Sequence, residues 1–301
     1  MLNPAPHKVN TILEQQLDER LKEFEVAIGG DALTFWGPLT FPVDDTIREA
    51  VEELRSGKGE GEKLAVLLQT EGGYIETAER IARVFRRHYK VVEFVVPNYA
   101  MSAGTVLAMS GDAIYMDYFS VLGPIDPQVP GAGGALVPAL GYLTQFERLI
   151  KKSKNKAGLT HAEEVYLITK FDPAELYRYE QERDLSISLL EKWLVTFKFK
   201  NWNLTRTRKK KVTPAMRRKR AKDIGMMLND TEKWHSHGRG ISRDVLVAEV
   251  KLEIDDFGSN ALLNEKVKGY YRLLEDYMQK HQQQFAVLHT RGHYVPFFSG
   301  G

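Results

Sequence analysis

Apolar residues Ile12, Leu13, Leu17, Leu21, Phe24 and Ile28 recur at steps of three and four, which predicts an amphipathic helix over residues 10–28. Its apolar stripe needs cover from the body of the protein or from a partner. The period then changes. Ala32-Leu33-Thr34-Phe35-Trp36 reads as a short strand closed by the breaker Gly37-Pro38, and a helix is expected from about Asp44 to Arg55 with Asp44 or Asp45 as its cap. After the loop from Ser56 to Gly61, Leu64-Ala65-Val66-Leu67-Leu68 is apolar at every position. A strand with no polar side must be covered on both faces, as in a parallel sheet.

The rhythm repeats. Gly72-Gly73 leads into a helix ending near His88, Val91 to Val96 form a strand, Thr105 to Ser110 a helix, and Ala113 to Met116 a further short strand. Alternating strands and helices predict an α/β fold of βαβ units around a mainly parallel sheet, with extra helices at both ends of the chain. The Pro- and Gly-rich stretch 124–134 reads as a loop. Helices follow at about 141–152, 160–170 and 173–200, another starts after Thr213-Pro214, and the last spans about 259–283. The tail from His289 to Gly301 shows few order signals, because Gly292 and Pro296 argue against a helix there. Three regions result: an N-terminal helix over 1–30, a main domain over 31–258, and a C-terminal helix and tail over 259–301.

Composition narrows the chemistry. The 301 residues include no cysteine, which excludes disulfides, thiolate nucleophiles and Cys-based metal sites. No apolar run is long enough to span a membrane, and the first residues lack the pattern of an export signal, so a cytoplasmic protein is expected. The net charge of +2 conceals a basic strip within residues 203–222, where ten Lys and Arg occur without one acidic residue between positions 206 and 222. Such a strip is a solvated face, a contact with an acidic neighbouring subunit, or a nucleic-acid surface with Trp202 offering a stacking face.

Two turns follow strands on the same presumed sheet edge, where α/β folds place their chemistry. In Thr70-Glu71-Gly72-Gly73, paired glycines allow close backbone approach and outward N–H groups. In Tyr99-Ala100-Met101-Ser102-Ala103-Gly104-Thr105, a hydroxyl sits at a strand-to-helix turn among small residues, where a neighbouring N–H can meet a developing oxyanion. Either turn alone is an ordinary structural feature.

Together with their surroundings they carry a resemblance. Leu-Leu-Gln-Thr-Glu-Gly-Gly (67–73), Val-Pro-Asn-Tyr-Ala-Met-Ser-Ala-Gly-Thr (96–105), Ala-Met-Ser-Gly-Asp-Ala-Ile-Tyr-Met-Asp (108–117) and Val-Leu-Gly-Pro-Ile-Asp-Pro-Gln (121–128) closely resemble the serine dehydrogenase proteinase family. That family belongs to the Clp/crotonase superfamily, beside signal peptide peptidase A and the Clp proteolytic subunit. The resemblance extends over about residues 30–250 when Thr231 to Gly238 is counted as the family's late Trp-Thr-His segment. It implies a Clp/crotonase-like spiral of βαβ units and a serine peptidase with Ser102 as nucleophile and an oxyanion hole from the N–H groups of Gly72 or Gly73 and Ala103.

The base is less direct. The stretch Leu122 to Asp126 lacks the histidine that the Clp proteolytic subunit carries there. Signal peptide peptidase A uses a lysine just before a helix start, and that resemblance points to Lys156, then Lys154, with Lys151, Lys152, Lys170 and His161 behind them. A lysine acts as a base only if its pKa falls from about 10.4 toward 7–8. Asp126 orients a base, binds substrate or caps the turn before Pro127. Glu71 departs from the proline usual before the paired glycines and brings a carboxylate beside the oxyanion hole. His235 and His237 invite a metal reading but lack a third ligand nearby in sequence, and no metal is expected. No cofactor is expected either, since no lysine lies in a pyridoxal phosphate motif. The implied partners are a peptide or protein substrate, further copies in a homo-oligomer, and an ATP-dependent unfoldase. The competing readings are an inactive scaffold that binds nucleic acid or protein through the basic strip, and acyl-thioester chemistry on the same fold.

Overall fold

The computed structural model describes residues 8–130, 136–281 and 284–298. The chain opens with α1 (Lys8–Ile28), β1 (Asp31–Trp36), α2 (Val43–Leu54), β2 (Gly61–Gln69), α3 (Ile75–His88) and β3 (Tyr89–Val95). It continues through β4 (Tyr99–Ala100), α4 (Ala103–Ala108), β5 (Ala113–Met116), β6 (Val121–Leu122), β7 (Gln128–Pro130) and β8 (Leu136–Pro138). A helical stretch follows: α5 (Ala139–Ser153), α6 (His161–Lys170), α7 (Pro173–Trp193), α8 (Pro214–Leu228) and α9 (Thr231–Trp234). The chain ends with β9 (Ile241–Ser242), α10 (Arg243–Val245), β10 (Asp255–Asp256), α11 (Ala261–Lys280), β11 (Gln284–Thr290) and β12 (His293–Phe298).

The central sheet has the order β10-β5-β3-β2-β1-β11-β12. From β10 to β1 every pair is parallel, whereas β11 joins β1 antiparallel and β12 follows as a hairpin. This is the α/β class with a mainly parallel sheet that the sequence predicts. The all-apolar run in β2 is explained by its two neighbours in depth. Leu64, Val66 and Leu68 enter the larger core, while Ala65 and Leu67 enter a second core on the opposite face. Successive side chains of a strand point to opposite faces, so a doubly covered strand has no position for a polar residue.

That second core settles where the N-terminal helix docks. Leu17, Leu21 and Phe24 of α1 are fully buried against Val267, Tyr270 and Leu274 of α11, over Ala32 of β1. The stripe from Leu17 onward is therefore used within the chain, whereas Ile12 at its start is exposed. The tail departs from expectation: residues 284–298 form an ordered hairpin that extends the sheet. Gly292 takes φ +80° at the tip, and Pro296 lies on the edge strand, where a missing N–H is tolerated. The helix expected over 173–200 ends at Trp193 and continues as a wider turn from Leu194 to Lys198. The predicted loop 124–134 contains β7, and its residues 131–134 lie outside the described residues, as do tail residues 299–301. Among the described residues, no helix is long and apolar enough to cross a membrane.

A second, three-stranded sheet in the order β4-β6-β9 sits at the C-terminal edge of the main one. β4 and β6 run parallel and β9 runs antiparallel to β6. The exits of β4 and β6 and the entry to β9 therefore share one end, which brings residues 101–104, 123–128 and 235–240 together.

Candidate active site

Ser102 is separated from the end of β4 by Met101 and is the residue before α4. Its backbone takes φ 52° and ψ −121°, and its hydroxyl makes no bond to the helix it precedes. A side chain other than glycine held at positive φ stores about 1–3 kcal/mol, which surrounding structure must maintain. Here the neighbours do so. Met101 N–H donates to Thr70 O at 2.8 Å, Thr70 N–H donates to Tyr99 O at 3.2 Å, and Gly104 N–H donates to Met101 O at 2.8 Å. The half-buried serine side chain is left without a structural task, unlike the Ser cap of an ordinary helix.

The paired glycines lie against this turn. A Cβ on Gly72 would fall 2.8 Å from Ser102 Cβ and 2.9 Å from Met101 O, and φ is +102° at Gly72 and +143° at Gly73. Only glycine fits both the space and the conformation. The structure divides the candidate oxyanion donors. Gly72 N–H donates to Thr70 Oγ1 at 3.0 Å and is occupied. The N–H groups of Gly73 and Ala103 have no partner among the described residues. Glu71 is exposed beside them. Burial, followed by the Glu71 carboxylate, pushes the Tyr99 phenol above its ordinary value.

Thr105 fastens the next segment. Its buried Oγ1 lies 2.8 Å from Ala100 O and 2.9 Å from Gly123 O, and it accepts Gly123 N–H at 3.0 Å. This clamp joins the Ser102 turn to the chain leading into Asp126. Asp126 is 1% exposed, and its two oxygens meet two partners: Oδ2 accepts from Gln128 Nε2 at 3.1 Å, and Oδ1 lies 2.9 Å from Nδ1 of His237. A carboxylate only accepts, so Nδ1 donates to Asp126, and in the neutral tautomer that makes this bond the lone pair lies on Nε2. His237 is a partner that the sequence reading missed. Its resemblance to the late family segment was visible, but 111 residues separate it from Asp126, and only the antiparallel entry to β9 brings them together. His235 behaves differently: it is exposed, takes φ 63° and ends α9.

The lysines lie elsewhere. Lys156 is exposed in the turn between α5 and α6, and Lys154 is the C-cap of α5. Lys152 pairs with Glu163 at 2.6 Å, Lys151 and Lys170 are exposed, and His161 lies 4.0 Å from Glu164 at the start of α6. Among the described residues, no hydrogen bond or ion pair joins any of these groups to the Ser102 turn.

Residues 36–156 match the model of the ClpP-like SDH-type serine proteinase family. That span runs from the end of β1 past α5 and includes Gly72, Gly73, Ser102, Ala103 and Asp126; His237 lies beyond it. Two uncharacterized proteins of Methanocaldococcus jannaschii are similar to this chain. One is 37% identical over 86 residues, covering 28% of this chain and 30% of its own length. The other is 35% identical over 101 residues, covering 33% and 34%. The chain thus spans about a third of the length of these relatives. Among solved structures, a mutant of a membrane-bound stomatin-specific protease is 22% identical with a TM-score of 0.31, covering 49% of this chain and 74% of its own. The catalytic domain of the ClpP protease from Plasmodium falciparum is 12% identical with a TM-score of 0.29, covering 35% and 57%.

Proposed function

We propose that the protein is a serine peptidase in which Ser102 is the nucleophile, His237 its general base and Asp126 the group that orients the histidine. The observation that carries this reading is the bond between buried Asp126 and His237, at the sheet end where the strained Ser102 turn emerges. The family match over residues 36–156 supports the same class of chemistry.

In this mechanism Ser102 Oγ attacks the scissile carbonyl while its proton passes to His237 Nε2. The imidazolium that forms is stabilised by Asp126, whose carboxylate stays ionised. Charge that develops on the carbonyl oxygen is met by the N–H groups of Gly73 and Ala103, each such donor being worth about 3–4 kcal/mol. The histidine then protonates the leaving amine, and water releases the acyl group from Ser102. Lys156 is the competing base, and it requires the α5–α6 turn to fold over the serine. A peptide or protein substrate, assembly into a homo-oligomer and delivery by an ATP-dependent unfoldase follow from the resemblance and belong to the same proposal.

The test is labelling by a fluorophosphonate probe, with the adduct located by mass spectrometry. The expected result is modification at Ser102 that disappears in Ser102→Ala and His237→Gln and persists in Lys156→Ala. Labelling that survives in His237→Gln and vanishes in Lys156→Ala transfers the base to the lysine. Absence of labelling in a folded protein favours the non-hydrolytic scaffold.

A further inference from the structure

The basic strip has a structure of its own. Two of its ten cations are internal struts: Arg217 Nη2 donates to Trp202 O at 2.9 Å and to Asn203 Oδ1 at 3.1 Å, and Arg220 donates to the Val250 carbonyl. The other eight, between Arg206 and Lys211 and at Arg218, Lys219 and Lys222, are exposed and form no ion pair among the described residues. The next acid, Asp223, acts on Arg220.

Residues 204–211 form a tight turn. Leu204 and Lys211 pair antiparallel, Thr205 N–H donates to Lys210 O at 2.8 Å, Lys210 N–H donates to Thr205 Oγ1 at 2.9 Å, and Lys209 N–H donates to Thr205 O at 3.1 Å. Lys209 sits at the tip with φ +49°. Glycine or asparagine is the usual occupant of that conformation, so a lysine there keeps a cation at the tip against backbone strain. Large apolar side chains lie within and beside this run of charges: Leu204, paired with Lys211, is 56% exposed, Met216 36%, and Met226, one turn past Lys222, 56%.

We propose that this turn and the outer face of α8 form a peripheral docking surface for an anionic phospholipid bilayer. Clustered Lys and Arg are drawn to acidic headgroups, and apolar side chains among them gain by entering the interfacial layer. A nucleic acid would use the same cations but leave Leu204, Met216 and Met226 without a partner. Its usual stacking platform is also missing, since Trp202 is half-buried against Phe199 with ring centroids 5.5 Å apart. The proposal is independent of the peptidase chemistry.

The full chain is sedimented with phosphatidylcholine vesicles, with vesicles containing about 30% phosphatidylglycerol, and compared with binding to a single-stranded oligonucleotide. Binding to the anionic vesicles should be at least about tenfold stronger than to neutral ones and should fall away at about 1 M salt, where charges are screened beyond about 3 Å. Charge reversal at Lys209, Lys210, Arg218 and Lys219 should lower it at least about tenfold, leaving the struts Arg217 and Arg220 in place. Leu204→Ser with Met216→Ser should weaken vesicle binding severalfold and leave any oligonucleotide binding unchanged. Thermal unfolding and circular dichroism on the same samples report folding. If the charge reversal unfolds the protein, Lys209→Gly removes charge and strain together and should weaken binding while raising the unfolding temperature. Equal binding to neutral and anionic vesicles overturns the proposal, as does vesicle binding that ignores the apolar pair, or an oligonucleotide that binds more tightly than the vesicles at the same salt.

Discussion

The surroundings of His237 and of Lys156 differ in burial and in partners. His237 bonds through Nδ1 to a carboxylate that is 1% exposed, and the bond ties the segment before β9 to the one after β6. Lys156 lies in an exposed turn whose charged groups serve helix ends. Lys152 bonds Glu163, and Glu163 accepts from Thr160 N–H at 2.9 Å while Thr160 Oγ1 caps α6. A lysine becomes a base by losing water around its ammonium, whereas a histidine needs only an oriented ring. The resemblance to signal peptide peptidase A points to the lysine, and our proposal of the histidine rests on its bond to Asp126.

The sharpest way to break this comparison is Asp126→Asn. An amide in place of the carboxylate favours the wrong tautomer of His237 and should lower kcat by roughly 10⁴-fold with little change in KM, as for an orienting aspartate in a Ser-His-Asp triad. His237→Gln should cost as much, and the double variant should cost no more than either alone, because the two act as one unit. Lys156→Ala should leave kcat within about twofold, as expected of a surface substitution away from the site. A large loss in Lys156→Ala with full activity in Asp126→Asn would reverse the assignment.

A smaller effect is expected at the oxyanion side. Gly73→Ala forces a side chain into φ +143° and against the Leu39 backbone. It should lower kcat by about 10²-fold if Gly73 N–H meets the oxyanion, and lower stability by about 1–3 kcal/mol. Thr105→Val probes the clamp between the two strands. Loss of a buried hydroxyl that serves Gly123 N–H should destabilise by about 1–3 kcal/mol. Because Asp126 lies three residues beyond Gly123, kcat should fall more than KM rises, in steady-state assays on the folded fraction.

How far the sequence could be read follows from the range of the interactions. β2 was legible because burial on both faces leaves five apolar residues in a row, and α1 because its stripe is regular. The Ser102 and Gly72-Gly73 turns were legible because their conformations restrict residue type locally. The sheet β4-β6-β9 was not, because strands of two residues have no period to detect. The bond from Asp126 to His237 depends on that sheet, so it was hidden too. The β11–β12 hairpin was hidden for another reason. Gly292 and Pro296 break a helix, but a glycine in a two-residue turn between β-rich segments is itself a hairpin signal. Here Arg291-Gly292 is that turn.

The smallest effect concerns the lysine arm alone. The Lys152 side chain, and then the Thr160 N–H and hydroxyl, hold the Glu163 carboxyl down at about 2. A depressed carboxylate contributes stability that is complete above its unfolded value of about 4.3 and is lost as pH falls toward 2. The N-terminal turn of α6 should therefore stay ordered at pH 5 and fray only in strong acid, which amide NMR signals of Thr160 and Glu163 would follow. Lys152→Met should move the Glu163 midpoint up toward the ordinary value. If the lysine arm is structural, that variant leaves the rate of Ser102 labelling unchanged between pH 6 and 8. A labelling rate that falls with the loss of the Lys152–Glu163 bond would mean that this exposed network holds a lysine in reach of the serine, and the contrast drawn with His237 would fail.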